Sequence, residues 1–321
     1  MPLAWNRGKG SLRPLILLFL VASFATLAGA QGPPKAKGPV ARTIILPPKM
    51  IAGEAATLAV VNSAGRMASG AVVELSTGQK ITTDATGRAL FMAPSEPGAM
   101  TAKLFGQETM AASTVVAAPS LPAHDPAGGD ATQLNQQHYS GGLQVEPVPD
   151  EISYPKFLTL HDRFAIEATG LNGRADGNRV LLEGQPCLVM ASSPVSLVVL
   201  PGLHVPIGPI GLKITVGGND VGPLPVSVVL LEFSGPSETP NAGSQSSLVL
   251  HARGTTEPLS VEVRNGSPGV IQFPHGTVQR LMTSGGEENM APVDLKFLTA
   301  GNYTVTARLL PGEPRSSTGR N

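Results

Sequence analysis

Few side chains in this sequence could do chemistry, and they lie far apart. One cysteine, Cys187, stands in QPCLVMAS. A reactive thiol needs a nearby His, Lys or Arg to lower its pKa, and no such residue lies within six positions. Cys187, Val189 and Ala191 share one parity of an extended strand, and Leu188 and Met190 share the other. Such a strand is apolar on both faces, so the thiol is expected to pack as a small hydrophobe. Six histidines, His124, His138, His161, His204, His251 and His275, form no H-x-H or HExxH pair. His161 and Asp162 are adjacent, which on a strand sends them to opposite faces.

No serine occupies a G-x-S-x-G elbow, and there is neither a Walker loop nor a G-x-G-x-x-G turn. GGND (217–220) and ADGN (175–178) each carry a single carboxylate, too few for a calcium loop. The sequence assigns no catalytic, cofactor-binding or metal-binding residue, and the expectation is a protein that is not an enzyme and uses no cofactor.

The elements that would position any site are read from composition. The chain has 37 Gly and 30 Pro, about a fifth of its 321 residues, with only 14% charged and 41% hydrophobic. Gly and Pro oppose helix interiors, while the apolar fraction is too high for disorder. An all-β protein of short strands and Gly/Pro turns is the expected fold class.

The first thirty residues read as a signal peptide. Arg7, Lys9 and Arg13 precede the apolar stretch Leu15 to Leu27, and Ala28-Gly29-Ala30 is an A-x-A cleavage pattern. Cleavage versus retention as an anchor is left open by these residues. Removing residues 1–30 takes three of the 23 basic residues and none of the 23 acidic ones, leaving a net charge of −3. That balance argues against nucleic acid as a partner. No later stretch is long and apolar enough to span a bilayer. The single Trp, Trp5, falls in the signal, which weakens a sugar-stacking platform. One cysteine cannot form an intrachain disulfide, so stability must come from apolar cores alone.

Strand and turn signals recur every eight to twelve residues or so. A lead-in covers 31–42, and a β-sandwich is expected over 43–117, with ATLAVV, GAVVEL, KITTD, RALFMA, AMTAKLF and MAASTVVA as strands. Residues 118–155, rich in Pro, Gly, Asn and Gln, read as a linker. A second sandwich is expected over 156–233. Within it SLVVLP (196–201) is continuously apolar, which predicts burial on both faces. A polar linker over 234–247 leads to a third sandwich over 248–310, and 311–321 reads as a disordered tail.

Three resemblances follow. NSAGRMASGAVVELSTG followed by TTDATGRALFMAP resembles bacterial immunoglobulin-like or transthyretin-like surface domains. There Gly87 supplies the positive-φ turn, and Ala89 and Phe91 share one sheet face. FAIEATGLNG, NRVLLEGQPCLV, ASSPVSLVVLPG and PIGPIGLKITVGG resemble the IPT/TIG family, with Gly170 and Gly173 near its glycines and its G-G-T opening absent. AGNYTVTARL resembles immunoglobulin-like or fibronectin-like modules, with Tyr303 placed as a tyrosine corner.

These resemblances imply a binding or spacing role in the bacterial envelope, and no functional residue is carried over. The expectation is an exported protein, periplasmic, on the cell surface or secreted. It would contact a protein or a polysaccharide through loops or sheet edges. The alternative is an accessory subunit of a secreted hydrolase or a structural component of the envelope.

Overall fold

The structure, a computed structural model, describes residues 42–118, 151–216, 218–235, 241–312 and 315–317. The signal peptide, nearly all of the lead-in and most of the 118–155 stretch lie outside the described residues. All described residues belong to one compact unit, Val40–Asn321. The protein is nearly all β, as composition implies, and among the described residues the helical content is a single 3-10 turn, Ala175–Gly177.

The first segment contributes β1 (Arg42–Ile45), β2 (Lys49–Ile51), β3 (Ala55–Asn62), β4 (Val72–Leu75), β5 (Lys80–Thr82), β6 (Arg88–Met92), β7 (Gly98–Leu104) and β8 (Met110–Val116). The second contributes β9 (Ile152–Tyr154), β10 (Phe157–Thr159), β11 (Phe164–Glu167), β12 (Arg179–Leu182), β13 (Gln185–Pro186), β14 (Leu188–Ser193), β15 (Ser196–Leu200) and β16 (Gly208–Val216). β17 (Asn219–Ser234) leads into the third, with β18 (Gln245–Arg253), β19 (Ser260–Asn265), β20 (Ile271–Gln272), β21 (Val278–Met282), β22 (Met290–Phe297), β23 (Val305–Leu309) and β24 (Arg315–Ser317).

Three large apolar cores follow this order. The first gathers Met50, Leu58, Phe91, Met100 and Leu104. The second gathers Ile152, Ile166, Leu182, Leu212 and Ile214, and the third Leu250, Val261, Phe273, Val293 and Phe297. Alternation accounts for the inward faces. In β6, Ala89 and Phe91 are buried while Leu90 and Met92 are more than half exposed. Gly87 holds the expected left-handed turn at φ 76°.

The sheets do not respect the three cores. One runs β1-β3-β14-β15-β11-β9-β24 and so joins the first segment to the second. Another runs β13-β12-β16-β17-β18-β22-β20 and joins the second to the third. β17, Asn219–Ser234, runs continuously across this second boundary. Its first part pairs with β16, and Leu230–Ser234 pair with Arg253–Val249 of β18.

Two stretches read as polar connections carry strand structure. Ser234 and Gln245–Ser247 are paired, and so is Ile152–Tyr154 at the end of the 118–155 stretch. The tail also differs from expectation. Arg315–Ser317 form β24, antiparallel to Tyr154–Ile152 of β9. The physical reason is the open edge of β9: a sheet edge carries unpaired N–H and C=O groups, which any extended backbone can satisfy whatever its side chains.

Candidate functional site

A fourth, smaller apolar cluster explains why β14 and β15 are buried on both faces. It contains Ile45, Ala59 and Val61 from the first segment with Met190, Ala191 and Val198 from the second. In β15, Leu197 and Val199 enter the second core and Val198 faces this junction, so the predicted two-faced burial is found. β14 carries a bulge between Val189 and Ala191. The extra residue breaks the parity, and Val189 goes to the second core while Met190 and Ala191 go to the junction.

Polar contacts seal the same junction. The Ser193 and Ser196 hydroxyls donate to the Lys49 carbonyl at 2.6 and 2.7 Å, and the Lys49 N–H donates to Ser196 Oγ at 3.1 Å. Thr57 Oγ1 donates to the Gly173 carbonyl at 2.8 Å, and Arg88 Nη2 donates to the Val189 carbonyl at 2.6 Å. Gly173 is required by proximity, since a Cβ there would lie 2.1 Å from the Ala55 carbonyl oxygen.

The second junction is built differently. Besides β17 itself, Phe157 of β10 packs against the third core, and Lys156 pairs with Glu257. Gly254 sits at φ +97°, where a Cβ would meet the Val228 carbonyl oxygen at 2.3 Å.

Where the junctions meet, they leave a cleft of about 680 Å³. That size suits a small ligand or a short polymer stretch. Lys49 lines it from the first segment; Tyr154, Phe157 and Arg163 from the second; Leu309 and Leu310 from the third. Its floor is largely apolar, with charged groups around it. Lys49 Nζ lies 2.6 Å from Glu167 Oε2, and Lys156 Nζ stands 5.3 Å from the centre of the Phe157 ring. Thr159 Oγ1 donates to Asp162 Oδ2 at 2.7 Å, which turns that carboxylate back into its own loop. The groups offered to a ligand are thus apolar surface, the exposed Arg163 guanidinium, the Lys49–Glu167 pair and backbone.

The residues weighed in the sequence are dispersed. Cys187 falls in the gap between β13 and β14, half-buried against the second core. Burial pushes its thiol pKa up, against hydrogen bonds from the backbone at Gly202 and Leu182, so the thiol stays protonated. His251 Nε2 shares a hydrogen bond with Ser234 Oγ at 2.8 Å. Among the described residues no three His, Cys, Asp or Glu side chains gather as a metal site. His124 and His138 lie outside the described residues. Tyr303 packs edge-to-face on Phe297, with ring centres 5.4 Å apart. The cleft itself was missed. Its lining comes from stretches far apart in the sequence, and only the two-faced apolarity read in QPCLVMAS and SLVVLP signalled a buried junction.

No family model matches the sequence, and no curated protein does. Several solved structures align with it at low identity. SGBP-B of the Bacteroides ovatus mixed-linkage glucan utilization locus, solved with a mixed-linkage heptasaccharide, is 14% identical over 91% of this chain and 68% of its own, with a TM-score of 0.20. The plexin A4 extracellular region, domains 1 to 8, is 11% identical over 84% of this chain, with a TM-score of 0.30. Domains 1–6 of the surface layer protein SbsC are 13% identical over 85% of this chain, with a TM-score of 0.18. The chain spans only 33% of that plexin chain and 39% of that SbsC chain. Superpositions with scores this low carry no argument about ligand or role.

Proposed function

We propose that this chain is an exported, non-enzymatic envelope protein of three tandem immunoglobulin-like domains, at 43–117, 156–233 and 248–310. In this reading the first is of the bacterial immunoglobulin-like or transthyretin-like type and the second of the IPT/TIG type. The protein holds a protein or polysaccharide partner on surfaces that the domain junctions fix in place. One observation carries the reading: a cleft walled by all three segments, beside a first junction closed by buried apolar side chains and backbone-directed hydroxyls and a second spanned by β17. Linked beads of independent orientation would not maintain such walls. Junctions with this much burial hold a preformed concave surface, which lowers the ordering cost of binding.

The test uses the chain from residue 31 onward, tagged, against solubilised envelope extract and an array of defined polysaccharides. Arg163→Ala with Leu310→Glu removes an exposed cation and puts a charge on the apolar floor. The expected result is a retained partner that this double variant loses by at least tenfold at unchanged melting temperature. Equal retention by both proteins would refute the cleft as the binding surface.

A further inference from the structure

The three-stranded sheet of the third segment, ordered β21-β19-β23, has an outer face unlike any other surface described. Glu262 lies at its centre. Arg280 of β21 and Arg308 of β23 are its direct cross-strand partners, and Arg264 is two residues along β19. Arg264 Nε donates to Glu262 Oε1 at 2.7 Å, and Arg308 Nε donates to the same oxygen at 3.0 Å. Arg280 Nε lies 3.7 Å from Glu262 Oε2. Only 3% of the Glu262 side chain is exposed, whereas Arg264, Arg280 and Arg308 are 53%, 74% and 52% exposed. The protein interior does not bury this carboxylate; the three arginine side chains cover it.

Three guanidiniums around one carboxylate leave the face with a net charge of +2. The carboxylate does more than neutralise. It holds Nε of Arg264 and Arg308 by hydrogen bonds and sits 3.7 Å from Nε of Arg280, while about half or more of each arginine side chain stays exposed. Strands lie about 4.8 Å apart, so the backbones of Arg280 and Arg308 are about 10 Å apart, with Arg264 about 7 Å along the sheet from Glu262. Fixed guanidiniums at these intervals suit planar anions repeated along a chain, because each fork can take a carboxylate or sulfate through two parallel bonds. Exposed Val278 and Met282 flank Arg280 on the same face and offer aliphatic surface to the C–H faces of sugar rings. No aromatic ring stands on the face for a base to stack on. A fluid headgroup layer rewards net charge rather than fixed spacing, and the charge here is small.

We propose that this sheet face is a binding site for an anionic polysaccharide, one bearing carboxylate or sulfate groups along its length. The assignment rests on the reading of the protein as an envelope binding module and names a ligand class for it. Ser260 lines the cleft and stands two residues from Glu262 on the same strand, so the two surfaces adjoin.

The test is affinity electrophoresis of the chain from residue 31 onward. The gels contain polygalacturonate, dextran sulfate, neutral dextran, duplex DNA or vesicles with anionic headgroups. Retardation is expected in polygalacturonate, dextran sulfate or both, which distinguishes the carboxylate from the sulfate source, and none in neutral dextran. Binding should weaken as salt rises. Arg264→Gln with Arg280→Gln should lower affinity at least tenfold at an unchanged melting temperature. Arg280→Gln alone, on an edge strand, serves if the pair melts early, and should cost at least threefold. Arg280→Lys should also lose affinity, since an ammonium cannot replace the fork.

Equal affinity of the arginine variants and the parent protein would overturn the proposal. So would equal retardation in neutral dextran, or tighter binding to DNA or vesicles than to either polyanion. Polyanion binding lost in the Arg163→Ala/Leu310→Glu protein but kept in the arginine variants would overturn this assignment alone and leave the cleft reading standing.

Discussion

The two junctions of this molecule solve one problem by different means. Between the first and second segments, strands distant in sequence bring apolar side chains and serine hydroxyls together, and the shared sheet rests on a single partner pair, Ser192 and Thr57. Between the second and third, one continuous strand, β17, carries the ladder from β16 to β18. The first junction therefore depends on packing and the second on backbone continuity. A side chain deleted at the first should cost more than one deleted at the exposed margin of either, while a clash with the backbone should damage both.

The largest effect is expected at Gly254. Gly254→Val combines an unfavourable φ of +97° with a Cβ 2.3 Å from a carbonyl oxygen, and should destabilise by about 3 kcal/mol or more in urea unfolding. Gly173→Ala should cost about 2–3 kcal/mol at the first junction by the same route, because backbone must move. Next comes Met190→Ala, which empties a side chain only 2% exposed at the first junction and should cost about 2–4 kcal/mol by the same measurement. If Met190→Ala proves nearly silent while Gly254→Val does not, packing is not what holds the first junction.

Ser196→Ala removes a hydroxyl bonded to both backbone groups of Lys49 and should cost about 1–2 kcal/mol. Lys49→Ala breaks only the half-exposed Glu167 pair beside it and should cost no more than about 1 kcal/mol, less at high salt. Comparing these two substitutions isolates the buried hydroxyl from the surface charge.

The smallest effect depends on pH. The Arg264 hydrogen bond, with the charges of Arg264, Arg308 and Arg280, holds the Glu262 carboxyl below its ordinary 4.5, outweighing the opposing effect of burial. A depressed folded pKa stabilises fully above the unfolded value, and that contribution is lost as pH falls through the folded one. Glu262→Gln should therefore flatten the acid side of the melting-temperature profile below about pH 4.5. An unchanged profile would show that the three arginines do not hold this carboxylate.

The contrast between junctions also explains what could be read in the sequence. Strand identity was legible wherever alternation meets turns: RALFMA buries Ala89 and Phe91 as its pattern implies, and MAASTVVA supplies β8. Two-faced burial of SLVVLP was legible too, but not the identity of the second face, because Ile45 and Val61 lie more than a hundred residues away. The bulge at Met190 was invisible, since one inserted residue leaves no mark in an apolar run. β1, β2, β9 and β10 were passed over because three or four residues carry too little period to register. The arginine face was half legible. VEVR, VQR and TAR each put charge on one parity of a strand, but only the pairing register brings them around Glu262.

The account depends most on the junctions being fixed, and amide ¹⁵N relaxation tests that directly. Rotational correlation times would be measured separately for amides of β3, β12 and β22, one strand from each segment. Fixed junctions predict a single diffusion tensor that fits all three strands with the correlation time of the whole described unit. Three shorter, separate correlation times, each matching an isolated sandwich, would contradict it.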